Sequence, residues 1–240
     1  MPLLNDPDHA DIIKSLKTRI PKLLDLKGPS RPRAIVLVTA HWSTPNPTIS
    51  SGATHSLLYD YYGFPPETYN LTYPAPGHPE VAAEVAEAMR KEGLQGVTLD
   101  PERGWDHGVF VPLKLALPEA EIPIVQISVL ESEDPERHLQ MGRALRALRA
   151  GGVAVVGSGF ASFHNLRLMM ALRYAGPSAQ ARAVQAQSRE WNAALNAAVE
   201  TDVQGRWDGL KGWRKLPAAD TMHPPQAGEV SLHPVYCSLL

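Results

Sequence analysis

Cysteine is nearly missing from this chain: among 240 residues only Cys237 carries a thiol. One thiol excludes an internal disulfide framework and any thiolate metal cluster. Long hydrophobic runs are missing too. No apolar stretch reaches the about 18 to 20 residues needed to span a bilayer. The opening Met1-Pro2-Leu3-Leu4-Asn5-Asp6 has neither the basic nor the apolar region of a signal peptide. Charge of one sign is also lacking: the formal net charge is -2, which gives no electrostatic reason to expect nucleic acid or an anionic membrane as a partner. These absences leave a soluble, cytoplasmic, globular protein as the expectation. With 44% hydrophobic and 20% charged residues, the chain is long enough to bury one substantial core.

What is present alternates between strand and helix patterns. Asp8 to Asp25 places Ile12, Ile13, Leu16, Ile20, Leu23 and Leu24 near helical spacing. After a Pro/Gly/Arg break, Ala34 to Ala40 is a short, β-branched apolar run, as expected of a strand buried on both faces. Ser43 to Pro76 reads as a long loop with one short strand, and loops of that length inside a domain are usually functional. Pro79 to Glu92 predicts an amphipathic helix with proline in its first turn, and Ile122 to Val129 a second buried strand. Asp134 to Arg149 predicts a helix burying Leu139, Ala144, Leu145 and Leu148, closed by Gly151-Gly152. Val153 to Val156 predicts a third strand, and Ser178 to Val199 a long helix. The alternation implies an α/β fold: one domain over residues 1–240, with a central, mostly parallel or mixed sheet flanked by helices.

In such sheets ligands bind beyond the carboxyl ends of the strands. His41 directly follows the first strand, and His164 lies a few residues past another, after Gly157-Ser158-Gly159. Neutral imidazole suits zinc and ferrous iron; read alone, a histidine after a strand is more often a hydrogen-bonded structural residue. His107, in Trp105-Asp106-His107-Gly108, has two readings. Asp106 could fix its tautomer for general-base work, or Asp106 could cap the following segment while Gly108 takes a positive φ. His55, in the long loop, is a candidate to touch substrate. His78 reads as the start of a helix, and His9 and His138 as solvated residues on helices.

Six motifs occur in a specific order: Ala40-His41-Trp42, Tyr62-Gly63-Phe64-Pro65, Tyr73-Pro74-Ala75-Pro76-Gly77, Trp105-Asp106-His107-Gly108, Pro123 to Ser128, and His164-Asn165-Leu166. In this the chain resembles the 4,5-DOPA extradiol dioxygenase-like proteins, among the class III extradiol ring-cleavage dioxygenases. The resemblance runs over roughly positions 1 to 229. It implies an α/β domain with one mononuclear site for Zn2+ or Fe2+, a catechol-type substrate and O2. By matching motifs, His41 and His164 would be metal ligands and His107 the acid/base residue. Tyr73, with the Tyr-Gly-Phe-Pro loop, would line the substrate pocket, and His223 would hydrogen-bond near it. Arg103, Arg167 and Arg173 are candidates to hold a substrate carboxylate, although any one of them reads more readily as a solvated surface arginine.

The chain departs from the family at both ends. It begins at the segment that in the family follows an N-terminal His-Gly ligand motif, so the domain is expected to be incomplete there. Met222 to Glu229 tracks the family, but Val230 stands where the last ligand histidine belongs, and Ser231 to Leu240 does not match. His233 is the candidate substitute. Two readings follow: an extradiol dioxygenase opening a catechol-type ring, or an inactive remnant that binds at most a metal or a ligand. A zinc-dependent hydrolase using His41, His107 and His164 is a third. The sequence leaves the catechol, the metal and the oligomeric state open.

Overall fold

The computed structural model of the chain describes residues 3, 7–159 and 161–225. Val230, His233 and the rest of the C-terminal segment expected to diverge lie outside the described residues. Five strands form one mixed sheet: β1 (Ala34–Thr44), β2 (Thr48–Ser50), β3 (Thr98–Asp100), β4 (Ile124–Leu130) and β5 (Val153–Ser158), in the order β3-β2-β4-β1-β5. β1 lies between β4 and β5 and runs parallel to both, while β2 is antiparallel to β4. The long loop thus contains one short strand, as expected. Β3, only three residues long, carries no apolar alternation that would reveal it.

Side chains along β1 alternate between two cores. Ala34, Val36 and Val38 pack with the helices α2 (Pro79–Lys91) and α4 (Pro135–Arg149). Ile35 and Leu37 face the other way, toward α3 (His107–Ala116) and the loop that carries Tyr61 and Tyr73. Both faces are therefore apolar, which is why the strand reads as an unbroken hydrophobic run. The amphipathic readings of α2 and α4 hold: Val81, Val85 and Met89 are buried in one, and Leu139, Ala144, Leu145 and Leu148 in the other. A first helix, α1 (Ala10–Leu23), lies against α3 but buries none of its residues, and Ile12 and Leu23 remain exposed.

Among the described residues, three α-helices longer than about one turn are not evident from sequence pattern. Α3 is apolar nearly all round, with Pro112 inside it, because it sits between the sheet and α1 and has no wet face to mark its period. Α5 (Leu166–Ala175) and α7 (Val203–Lys211) are the others. A third core gathers α6 (Ala179–Val199), α7 and the short α8 (Ala219–Met222) around Trp191 and Trp213, with Leu139 of α4. No helix among the described residues is long and apolar enough to cross a membrane.

His138 is a correction. The neighbouring Glu136 and Arg137 suggested a solvated residue, yet His138 is fully buried on the stripe of Met141 and Leu145. Its Nδ1–H donates to the Asp134 carbonyl at 2.7 Å, and its Nε2 accepts the Leu130 N–H at 3.0 Å. It bolts the end of β4 to the start of α4.

Candidate functional site

The site forms where β1, α3 and the long loop meet. Beyond Val38 the pairing of β1 with β4 shifts, resuming only at Ser43, so Thr39 to Trp42 leave the β4 ladder at the carboxyl end of the strand. There His41 projects on the α3 side, half-buried. His107 is the first residue of α3, and the two ring centroids are 3.9 Å apart.

This close approach explains Gly108. A Cβ at that position would meet His41 Cδ2 and Thr39 Oγ1, both at 2.9 Å. The expected positive φ is not found: Gly108 is helical and is not among the positive-φ glycines. Its value is the missing side chain, which lets the start of α3 settle on the end of β1. The Ser158 hydroxyl at the end of β5 donates to the Gly108 carbonyl at 2.6 Å, tying in the third parallel strand.

Asp106 does not serve His107, and its side chain makes no capping bond. It is fully buried, and it accepts from the Thr39 hydroxyl at 2.9 Å, from Gln126 Nε2 at 2.8 Å and from Arg103 Nη2 at 3.3 Å. Asp106 precedes the first helical residue in an extended conformation, and its carboxylate turns into the buried lattice rather than toward the His107 ring. Burial pushes the Asp106 carboxyl above the usual carboxylate range. Arg103, a candidate to hold a substrate carboxylate, is committed to Asp106, reaches the His41 carbonyl at 3.4 Å and lies over the Trp42 ring. Arg167 and Arg173 are exposed on α5.

The acid that does meet His107 is Asp60. Its Oδ1 accepts both the backbone N–H of His107 at 2.9 Å and the ring Nδ1–H at 2.8 Å, while its Oδ2 stands 4.0 Å from His41 Nδ1. Burial pushes the Asp60 carboxyl up, but the two N–H groups of His107 outweigh it, so the group lies below its ordinary range. Sequence reasoning missed this residue. The available signal was its place at the head of Asp60-Tyr61-Tyr62-Gly63-Phe64-Pro65, next to a motif that was recognised.

Ligand atoms of His41, Asp60 and His107 lie within 4.8 Å of one another. Burial, then the neighbouring His107, hold the His41 imidazole near 4, with Asp60 opposing them. It is neutral at physiological pH and free to donate a lone pair to a metal. Imidazole nitrogens beside a carboxylate are donors that fit zinc or ferrous iron, so the residues present suit a metal.

The other candidates lie as follows. His164 is buried, and its N–H donates to the Met222 carbonyl at 2.8 Å. It is not in the group within 4.8 Å, although it is near enough to help depress the pKa of His41. Asn165 caps α5 through the Leu168 N–H at 3.0 Å and donates to the Thr221 carbonyl at 2.9 Å, so His164 and α8 are locked together. His223, just beyond α8, is buried against Trp191 and Trp213, and its Nε2–H donates to the Ala161 carbonyl at 2.9 Å. Burial, with a smaller push from His164 and against the Ala161 hydrogen bond, holds it near 4. Tyr73 is 2% exposed, with its hydroxyl donating to the Leu117 carbonyl at 3.0 Å. Its side chain is thus packed in the second core. Tyr61, an aromatic that sequence reasoning did not single out, sets its edge toward His107 at 5.9 Å. His55 stacks on Trp105 and bonds the Arg103 and Gly52 carbonyls through the two ring nitrogens, at 2.8 and 3.0 Å.

Comparison with known proteins places this geometry among relatives. Residues 5–237 match the family described as the catalytic LigB subunit of aromatic ring-opening dioxygenase. A dioxygenase of Hapsidospora irregularis, tasH, is 61% identical over 99% of this chain and 74% of its own length. The 4,5-DOPA dioxygenase extradiol of Mirabilis jalapa is 29% identical over 97% of the chain and 84% of that protein. Its namesake in Beta vulgaris is 40% identical over 55% of this chain and 49% of that protein. A crystal structure of an uncharacterized protein from Escherichia coli K12 superposes with a TM-score of 0.67 at 30% identity, covering 92% of this chain and 80% of that one.

Proposed function

The chain belongs to the family of the catalytic LigB subunit of aromatic ring-opening dioxygenase, and from that premise we propose that it is a metal-dependent extradiol dioxygenase acting on a catechol-type, DOPA-like aromatic. Both atoms of O2 would be inserted into the ring beside the diol, opening it to a muconic-semialdehyde type of product. The observation that carries the reading is the juxtaposition of His41 and His107 at the carboxyl end of β1, with the His107 ring already oriented by Asp60.

In this reading His41 and His164 hold a single Zn2+ or Fe2+. Ferrous iron, when bound there, supplies the redox activity that lets O2 react with a catechol; zinc, with no second oxidation state, does not. The chain's own groups supply the rest. With Nδ1–H given to Asp60, the bare Nε2 of His107 takes the proton that the catechol loses on binding and returns it as the ring opens. The buried lattice of Asp106, Thr39, Gln126 and Arg103 keeps β1 and α3 in register beneath this proton path. The aromatic edge of Tyr61 shields one side of His107 from water. Tyr73 supports the same wall from behind, and His223 braces the segment bearing His164.

The test is oxygen uptake by anaerobically purified chain reconstituted with Fe(II) and offered a panel of catechols. The expected result is one O2 consumed per catechol, both labelled atoms of O2 recovered in the product, and the yellow absorbance of a ring-opened semialdehyde. Metal binding without oxygen uptake on any catechol would leave the protein as a metal- or ligand-binding remnant.

A further inference from the structure

We propose that Asp60 is the positioning residue of this centre, holding His107 in the one tautomer and rotamer that leave Nε2 bare and pointed away from the carboxylate. The proposal rests on the reading of His107 as the acid/base group. A single oxygen, Asp60 Oδ1, accepts from the same residue twice, from the backbone N–H at 2.9 Å and the ring N–H at 2.8 Å. That two-point hold closes a small ring through the His107 backbone. It therefore restrains the side-chain torsions as well as the location of the proton. An ionised acceptor also makes the opposite nitrogen of an imidazole a better base and stabilises the imidazolium that forms when it takes a proton.

The surroundings keep the carboxylate in place. The loop that bears Asp60 is closed on itself by its tyrosines. The Tyr59 hydroxyl donates to the Leu71 carbonyl at 2.7 Å, Tyr61 to Thr68 at 2.7 Å and Tyr69 to Tyr61 at 3.2 Å. The His107 ring is flanked by His41 at 3.9 Å and by Tyr61 at 5.9 Å, so it has little room to turn. Asp106, the acid adjacent in sequence, is fully engaged elsewhere. The rival role for Asp60 is as a metal ligand, because its carboxylate falls in the same group as His41 and His107.

Nitrogen NMR of histidine-labelled, zinc-loaded protein decides between these roles, with the His107 signal assigned by its loss in His107→Gln. Wild type is expected to show the Nδ1–H tautomer. Asp60→Asn keeps an oxygen to accept both N–H groups and should retain mostly that tautomer. Asp60→Ala removes the acceptor and should show a mixture. Zinc affinity, titrated on the same samples, should stay within about threefold of wild type, well inside the loss expected for a ligand. Turnover of the Fe(II) form should fall about ten- to a hundredfold in Asp60→Ala, mainly in kcat rather than KM, with partial recovery in Asp60→Asn. An unchanged tautomer in Asp60→Ala would overturn the proposal. So would a tenfold or greater loss of zinc affinity in Asp60→Asn, which would make Asp60 a ligand. A wild type that takes up no oxygen but shows the tautomer series sinks the dioxygenase reading and leaves the Asp60–His107 pairing standing.

Discussion

The imidazole rings of His41 and His107 lie with centroids 3.9 Å apart and planes tilted by 48°. Burial first, and then the nearness of His107, keep His41 neutral, near 4. His107 is the ring that gives its Nδ1–H to the Asp60 carboxylate. In the proposed function this pair would divide the labour, one ring donating a lone pair to a metal and the other moving protons.

His41→Ala should therefore remove metal binding. Calorimetric titration with Zn(II) is expected to show affinity weakened by at least about tenfold in a protein that still melts cooperatively, since the side chain is only partly buried. Retention of wild-type affinity would rule His41 out as a ligand.

His107→Gln should do the reverse. Metal stoichiometry stays at the wild-type value, and oxygen uptake with catechols falls roughly a hundred- to ten-thousandfold, the usual contribution of a general acid/base group. If the metal is lost along with activity, His107 belongs to the coordination sphere and the proton carrier must be sought elsewhere.

Gly108→Ala tests the close approach of α3 to β1. The new Cβ would lie 2.9 Å from both His41 Cδ2 and Thr39 Oγ1, and something must move. Overpacking of this kind costs about 1 to 3 kcal/mol, read as a lower denaturant midpoint. Displacement of His41 should weaken Zn(II) binding in the same variant. A methyl group accepted without loss of either property would show that the two elements are less closely seated.

Asp106→Ala leaves Gln126 and Arg103 without their shared acceptor and Thr39 without its own. Removing one partner from a buried polar lattice is expected to cost on the order of 3 kcal/mol in chemical denaturation. Stability within error of wild type would mean that the lattice contributes nothing net to the fold.

His138 predicts a pH dependence of stability. Burial holds its folded pKa near 4 against an ordinary 6.5. Its Nε2 already accepts the Leu130 N–H, so protonation there would set two donors face to face. Below 6.5 the unfolded chain takes up a proton that the folded chain refuses, so stability falls as pH drops from 6.5 toward 4 and is fully present above that window. The contribution of this one group is on the order of 3 kcal/mol. His41 and His223, also near 4, add to the slope. His138→Asn should flatten the urea-measured slope by one group's share, and a slope unchanged by that substitution would show that His138 is protonated in the fold.

The sheet and two of its helices were legible because their signals are local. Ala34 to Ala40, buried on both sides, could only be an unbroken apolar run, and α2 and α4 each show one apolar stripe to the sheet. Α3 was illegible for the opposite reason, since a helix buried nearly all round has no polar face to give its period. His138 was misread from its charged neighbours when its spacing to Met141 and Leu145 was the better guide. In the site, His41 and His107 could be named from their motifs, but their meeting depends on contacts between distant segments. Asp60 was invisible for that reason: its partner is 47 residues away, and an acid in a tyrosine-rich loop has no periodic signature. Adjacency in sequence instead nominated Asp106, which the geometry of a helix start turns inward.

Along β1, Ile35, Leu37, Thr39 and His41 share one side of the sheet, and Ala34, Val36 and Val38 the other. The imidazole reaches its partners only because it is an even number of residues from Ile35. Inserting or deleting a single residue between them would turn it to the α2 and α4 side and bring the hydrophobic set out of phase as well. Apolar residues of this strand can be exchanged at similar volume, but their count cannot change without moving His41 and the core together.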